Sequence, residues 1–206
     1  MTSPEDYYIR RRLSHTQEVT ALSLYISENL GLNTSLCQAI AAGHDIGHAP
    51  YGHLGESVIS EIIGKKFHHN IASVLVAQHL ENRGYGLNLS FETLEGMLYH
   101  SRTDSRKVEA FSNLLHEYSA VMFADKIAYT SSDINDSIRY GYLKQDKLPK
   151  FILRLGKTQD ERDFTIVKAL IEESKKYNKI QLSEGRVAED FNLTRDIDKN
   201  DKKDKK

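Results

Sequence analysis

His44-Asp45-Ile46-Gly47-His48-Ala49-Pro50-Tyr51-Gly52-His53-Leu54-Gly55-Glu56 gathers three histidines and two carboxylates around Gly47, Pro50 and Gly52. An ordinary solvated helix has no reason to collect imidazoles around a backbone bend. Imidazole and carboxylate together form the donor set of a borderline divalent metal, and histidine is the usual proton carrier near neutral pH. The stretch reads as a metal centre with acid–base chemistry beside it.

Outward from this bend, most segments show helical spacing and few show strand alternation. Leu13 to Leu30 carries Val19, Leu22, Ile26 and Leu30 on one stripe and stops at Gly31. Thr34 to Asp45 is short and rich in alanine, so a neighbouring helix can approach closely. A third helix is expected from Leu54 to Ile63, ending at Gly64. A fourth is expected from Asn70 to Asn82, burying Val74, Leu75 and Leu80. Gly84-Tyr85-Gly86 reads as a loop, and Ser90 as the N-cap of a helix from Phe91 to His100. The longest helix is expected from Leu114 to Tyr140, with Leu115, Val121, Met122 and Ile127 apolar. Pro149 marks a break, and Phe164 to Tyr177 forms a further helix. The expected architecture is an all-α bundle.

The 206 residues suit one domain, over 10–195, with a short lead-in over 1–9 and a charged, disordered tail over 196–206. With 28 basic and 29 acidic residues, the chain has no global attraction to nucleic acid or anionic membrane, so any polyanion site must be local. The single cysteine, Cys37, lies in an apolar run and suits a small buried hydrophobe rather than a catalytic thiol. No apolar run approaches the roughly 20 residues needed to span a bilayer, and the N-terminus lacks the pattern of a signal peptide. A cytoplasmic location is expected.

His44 and Asp45 at the end of a buried helix can turn a nitrogen and an oxygen donor toward one ion. Further donors must come from elsewhere. His15 lies on the first helix, just after Arg10-Arg11-Arg12-Leu13-Ser14. Asp125 lies midway along the longest helix, in Phe123-Ala124-Asp125-Lys126-Ile127, an odd place for an acid and a lysine without a task. His15, His44, Asp45 and Asp125 on three helices would hold one ion and leave positions for water and a substrate oxygen. Such mixed ligation suits Mn, Mg, Fe, Co, Ni or Zn. On the same helix Asp125, Tyr129 and Asp133 recur every fourth residue and share a face.

The order His, His-Asp, Asp on successive helices resembles the HD superfamily of metal-dependent phosphohydrolases. The stretch His44 to Glu56 resembles, within it, the dGTPase-like deoxynucleoside triphosphate triphosphohydrolases. Three further segments agree: Arg12 to Val19, Phe67-His68-His69-Asn70 with Ser73, and Ala124 to Tyr129. The matching region runs from Arg10 to Gly141.

The resemblance implies the four metal ligands above, with Arg12 and Lys126 on the phosphates. It also implies His48 and His53 around the α-phosphate and sugar, Tyr129 near the sugar, and Asp133 on the sugar hydroxyl. His69 matches the family's catalytic histidine, with Glu56 orienting it, and His48 counts with them as catalytic. Arg10 and Arg11 read as solvated, and His79, His100 and His116 as structural or exposed.

The implied reaction is metal-dependent hydrolysis of a deoxynucleoside triphosphate to deoxynucleoside and inorganic triphosphate, in a homo-oligomer. Two alternatives stay open. One is an HD-type phosphohydrolase acting on monophosphates or other nucleotides. The other is a nucleotide- or nucleic-acid-binding regulator. Family members usually carry a segment ahead of the first motif that contacts base and sugar. Here nine residues precede Arg10, so the chain reads as shortened at both ends and base preference is not mapped.

Overall fold

The computed structural model describes residues 12–101, 110 and 113–201, and for His53 and 196–201 the backbone alone. Among them are α1 (Arg12–Leu30), α2 (Thr34–Gly43), α3 (His53–Ile63), α4 (His69–Leu75) and α5 (Phe91–Tyr99). They continue with α6 (His116–Arg139), α7 (Lys150–Leu155), α8 (Gln159–Tyr177) and α9 (Gly185–Asp201). No strand occurs among the described residues, and the fold is all-α. No described helix is long and apolar enough to cross a membrane.

α6 is the axis of the bundle. Its buried residues run from Tyr118 through Ile134 and lie on every side of the helix, because α1, α2, α5, α8 and α9 all pack against it. Val19 and Ile26 of α1, Cys37, Ile40 and Ala41 of α2, and Leu170 of α8 close around Val121, Phe123 and Ile127. Cys37 is fully buried, and burial followed by the charge of Glu117 pushes its thiol up to about 12. It packs as a hydrophobe, not as a nucleophile.

The helix ends follow local chemistry. Asn33 caps α2 by accepting from Leu36 N, and Ser90 caps α5 by accepting from Thr93 N. α8 begins several residues ahead of Phe164 because Thr158 and Glu161 form a reciprocal capping box. At the bend, Tyr51 and Gly52 both take positive φ, 64° and 61°, which turns the chain into α3. For Tyr51 that conformation costs about 1–2 kcal/mol.

Three expectations need correction. Leu75 and Leu80 are exposed and Val74 is only half-buried; Ser73 and Ala77 face inward instead. The helix becomes a π-turn over Val76–Leu80, whose extra residue rotates the apolar positions out of line, and it ends at Glu81. Leu115 is half-exposed at the N-cap of α6 rather than on its apolar face.

Two helices have no counterpart in the expected set. α7 is too short for its periodicity to show, and α9 turns Asp190, Thr194 and Arg195 inward beside Ala188 and Phe191. The Arg154 guanidinium grips the Asp190 carboxylate in a forked pair and ties α7 to α9. α9 takes in the first residues of the charged stretch from Asp196; residues 1–11 and 202–206 lie outside the described residues.

Candidate metal centre and active site

Three mutually packed helices bring the expected ligands together. α1 contributes His15, the end of α2 contributes His44 and Asp45, and α6 contributes Asp125. His15 Nε2 lies 3.1 Å from Asp125 Oδ1 and 3.9 Å from Asp45 Oδ2. His44 Nε2 lies 3.6 Å from Asp45 Oδ2 and 3.8 Å from Asp125 Oδ1.

His44 supplies the test of whether these residues fit a cation. Its Nδ1 donates to the Ala41 carbonyl at 2.7 Å, so the neutral ring carries a lone pair on Nε2. That Nε2 is buried and has no hydrogen-bond partner. An orphaned buried acceptor is costly. Here it points at two carboxylates, at separations too long for hydrogen bonds. Donors each about 2.1 Å from one ion stand roughly 3–4 Å from each other, and the four His–carboxylate separations, 3.1–3.9 Å, meet that spacing. The donor set and the orphaned nitrogen fit a divalent metal.

Burial alone would push the Asp45 and Asp125 carboxyls up, yet both are held below their ordinary value. For Asp45 the nearby His44 and Arg12 outweigh burial; for Asp125, Lys126 and the hydrogen bond from His15 do so. Both acids therefore stay ionised, as metal ligands must. Arg12 pairs with Asp45 Oδ2, and Lys126 Nζ donates to Asp125 Oδ2 at 3.0 Å. Both cations thus stand at the rim of the carboxylate pair.

The other side of Asp45 carries the second half of the site. His69, at the start of α4, donates from Nδ1 to Glu56 Oε1 of α3 at 2.7 Å. His48 stacks on His69, with ring centroids 4.6 Å apart and planes within 12°. Burial and then Arg12 lower the pKa of His48, which favours its neutral form.

Two short links set this arrangement. Ser73 of α4 donates to the His44 carbonyl at 2.8 Å and accepts from Gly47 N at 3.0 Å, which clamps α4 onto the bend. Only glycine permits that approach, because a Cβ at Gly47 would sit 2.1 Å from Ser73 N. Asn70 donates to the Leu98 carbonyl at 2.7 Å and ties α4 to α5.

The remaining expected residues divide. Tyr129 and Asp133 are half-buried on the α6 face that carries Asp125, so the polar stripe is present. His53 opens α3, but its side chain lies outside the described residues, as do Arg10 and Arg11. His79 and His116 are exposed.

His100 is the residue that sequence reasoning missed. It is buried at the end of α5, with Nε2 3.3 Å from His69 Nε2 and 4.0 Å from Asp45 Oδ1. Burial, then the charge of His44, pushes its pKa down to about 3. A signal was available: an imidazole directly after the apolar run Met97-Leu98-Tyr99 is as misplaced as the one at His44.

A groove of about 500 Å³ lies between α1 and α8, apart from this site. Glu18, Asp160 and Asp163 on its walls make it a poor seat for a polyphosphate.

Comparison with known proteins agrees with the geometry. A family model described as the HD domain matches residues 12–130, more than half of the chain. A deoxyguanosinetriphosphate triphosphohydrolase-like protein of Clostridium tetani is 44% identical over 169 residues, covering 81% of this chain and 47% of its own length. A protein of the same description from Clostridium perfringens is 47% identical, covering 79% of this chain and 47% of its own length. Another, from Caldanaerobacter subterraneus subsp. tengcongensis, is 42% identical, covering 82% and 48%. The chain spans about half the length of these curated relatives. Taken with the helical bundle and the converging His, His-Asp and Asp side chains, the match shows that this chain belongs to the HD domain family.

Proposed function

We propose that the protein hydrolyses deoxynucleoside triphosphates at the α-phosphorus, releasing deoxynucleoside and inorganic triphosphate. One observation carries the reading: Asp45 has a His–Asp metal cluster on one side and a His69–Glu56 pair on the other. A centre for activating phosphate and water thus adjoins a centre for moving a proton. The printed descriptions of the relatives support the choice of substrate class.

His15, His44, Asp45 and Asp125 would hold the ion, which supplies Lewis-acid polarisation of a phosphate oxygen and activation of water. Arg12 and Lys126, already beside the two carboxylates, offset charge on the polyphosphate as its bonds rearrange. Water adds at the α-phosphorus and the bond to the 5′-oxygen breaks. The leaving oxygen takes a proton from His69 Nε2, while Glu56 fixes the ring's tautomer and stabilises its charged form. His48, stacked on His69, and His53 border the α-phosphate and sugar. Tyr129 and Asp133 read the sugar along the α6 face. This reading carries with it a cytoplasmic location and assembly as a homo-oligomer.

The test is a product-resolved assay of the four dNTPs and the matching NTPs with Mn and with Mg. Triphosphate and free deoxynucleoside are the expected products. Orthophosphate released from monophosphates would replace this reading with the alternative phosphohydrolase. No turnover of any nucleotide with either metal would discard both.

A further inference from the structure

Asp125 and Asp133 share a face of α6, but different packing units hold the two ends of that face. Ala124, Ile127 and Ala128 lie in the main core, whereas Ile134 belongs to a smaller cluster with Leu148 and Ile152. Between them runs Thr130-Ser131-Ser132, three residues of modest helix propensity. Ser132 Oγ turns back to the Ala128 and Tyr129 carbonyls, at 2.8 and 3.1 Å, a pattern that bends helices. Helical period alone therefore does not fix where Asp133 stands relative to Asp125.

Arg162 of α8 grips α6 at this junction, and its side chain is fully buried. Nη2 donates to the Ser131 carbonyl at 3.2 Å and to Asn135 Oδ1 at 2.5 Å. Nη1 donates at 3.2 Å to the Lys157 carbonyl, just ahead of α8. Asn135 Nδ2 donates in turn to Gln159 Oε1 at 2.7 Å, and Gln159 Nε2 donates to Glu18 of α1. Ser131 and Asn135 stand two residues to either side of Asp133, so they lie on the opposite side of the helix. The turn is held from behind, while Asp133 keeps to the face of Asp125. A buried cation is costly, and an apolar side chain would pack α8 on α6 without that cost. What the guanidinium adds is a rigid, planar fork that sets both the height and the rotation of one turn.

We propose that Arg162 is a positioning residue for sugar recognition: through Ser131 and Asn135 it sets where α6 presents Asp133. The inference rests on the proposed reaction, and within it on Asp133 reading the sugar hydroxyl.

The experiment compares steady-state kinetics on a dNTP and on its 2′,3′-dideoxy analogue, which lacks the 3′-hydroxyl, using the full chain with Mn. Asp133→Ala is the reference and should erase the preference for the dNTP. Arg162→Met fills the same space without the donors, and Asn135→Ala removes one of its acceptors at a half-buried position. Both should raise KM for the dNTP about tenfold, the scale of one lost hydrogen bond, with kcat within about twofold. Neither should change KM for the dideoxy analogue. Circular dichroism must show that Arg162→Met is folded; Asn135→Ala makes the same test independently. Equal losses on both substrates in the folded variants overturn the proposal in favour of a plain α6–α8 clamp. Unchanged kinetics in both overturns it as well, while Asp133→Ala still shows its effect. A parent that does not turn over dNTPs, or an Asp133→Ala that keeps the preference, overturns the sugar reading and this proposal together.

Discussion

The end of α2 and the end of α5 are built alike. Each finishes in a buried histidine, His44 or His100, whose Nδ1 donates to the carbonyl three residues back and whose Nε2 is turned toward Asp45. They differ in what surrounds them in sequence. His44 is followed by Asp45 and by a bend full of imidazoles, so its chemistry is announced locally. His100 follows an ordinary apolar helix, and its partners arrive from α2 and α4. The same local device therefore serves the site from both ends, but only one end can be seen without the fold. The helix C-terminus explains the device itself: an unsatisfied carbonyl accepts Nδ1–H and thereby leaves Nε2 to face Asp45.

The largest expected effect comes from the residue that both ends share. Asp45→Asn should abolish ion binding and lower turnover about a thousandfold or more, several kcal/mol of lost stabilisation. Metal content and kcat measured on one preparation check this, and near-normal values of both would break the symmetry drawn here.

Gly47→Ala tests how closely α4 must approach the bend. Its Cβ would meet backbone, not a flexible side chain, 2.1 Å from Ser73 N. The cost should exceed the about 1–3 kcal/mol of ordinary overpacking. At about 2–4 °C per kcal/mol for a chain of this size, Tm should fall by roughly 10 °C. Scanning calorimetry reads it directly, and an unchanged Tm would mean that the clamp is looser than its geometry.

Ser73→Ala removes the same clamp more gently. The His44 carbonyl and the Gly47 amide each lose a partner, at about 1–3 kcal/mol in all. Urea unfolding should show a lower midpoint with an unchanged slope.

The most gradual effect separates the α5 end from the α2 end by pH. In chelator-stripped protein His100 binds its proton near pH 3, against 6.5 in the unfolded chain. Between these values the unfolded chain binds more protons, so stability rises with pH across the window and falls as pH drops below 6.5. The slope should be at most about 1.4 kcal/mol per pH unit for this one group. Asp45 and Asp125 also lose stability on acidification, but only as pH falls below their ordinary value of 3.8. The range from 6.5 to 3.8 thus belongs to imidazoles, with His48 adding a slope of the same sign, and His100→Gln should reduce the slope without abolishing it in denaturant titrations.

Much of the fold was legible because its helices obey strong local rules. Gly31 and Gly64 end α1 and α3, and Ser90 caps α5, as their spacing predicts. What was not legible had weak local signals. α7 is too short to show a period, and α9 buries Asp190 and Arg195, which spoil its apolar stripe. The π-turn at Val76–Leu80 reverses the expected burial of Leu80, because one extra residue shifts every side chain beyond it. At the site, motif order pointed to the residues of the His15–Asp125 cluster and to the His69–Glu56 pair. His100 escaped because its one signal, an imidazole after the apolar run Met97-Leu98-Tyr99, stands without a second polar group beside it.

Sequence by itself determined the all-α class and the family membership, and it named the His, His-Asp and Asp side chains that the fold brings together. Donor type and helical period are local properties, readable wherever the residues stand. Tertiary structure alone decided that Asp45 faces two histidine pairs at once, with His100 in the second. That arrangement depends on how closely α4 and α5 approach the bend, through Gly47, Ser73 and Asn70, and close approach is a property of packed surfaces rather than of neighbours along a chain.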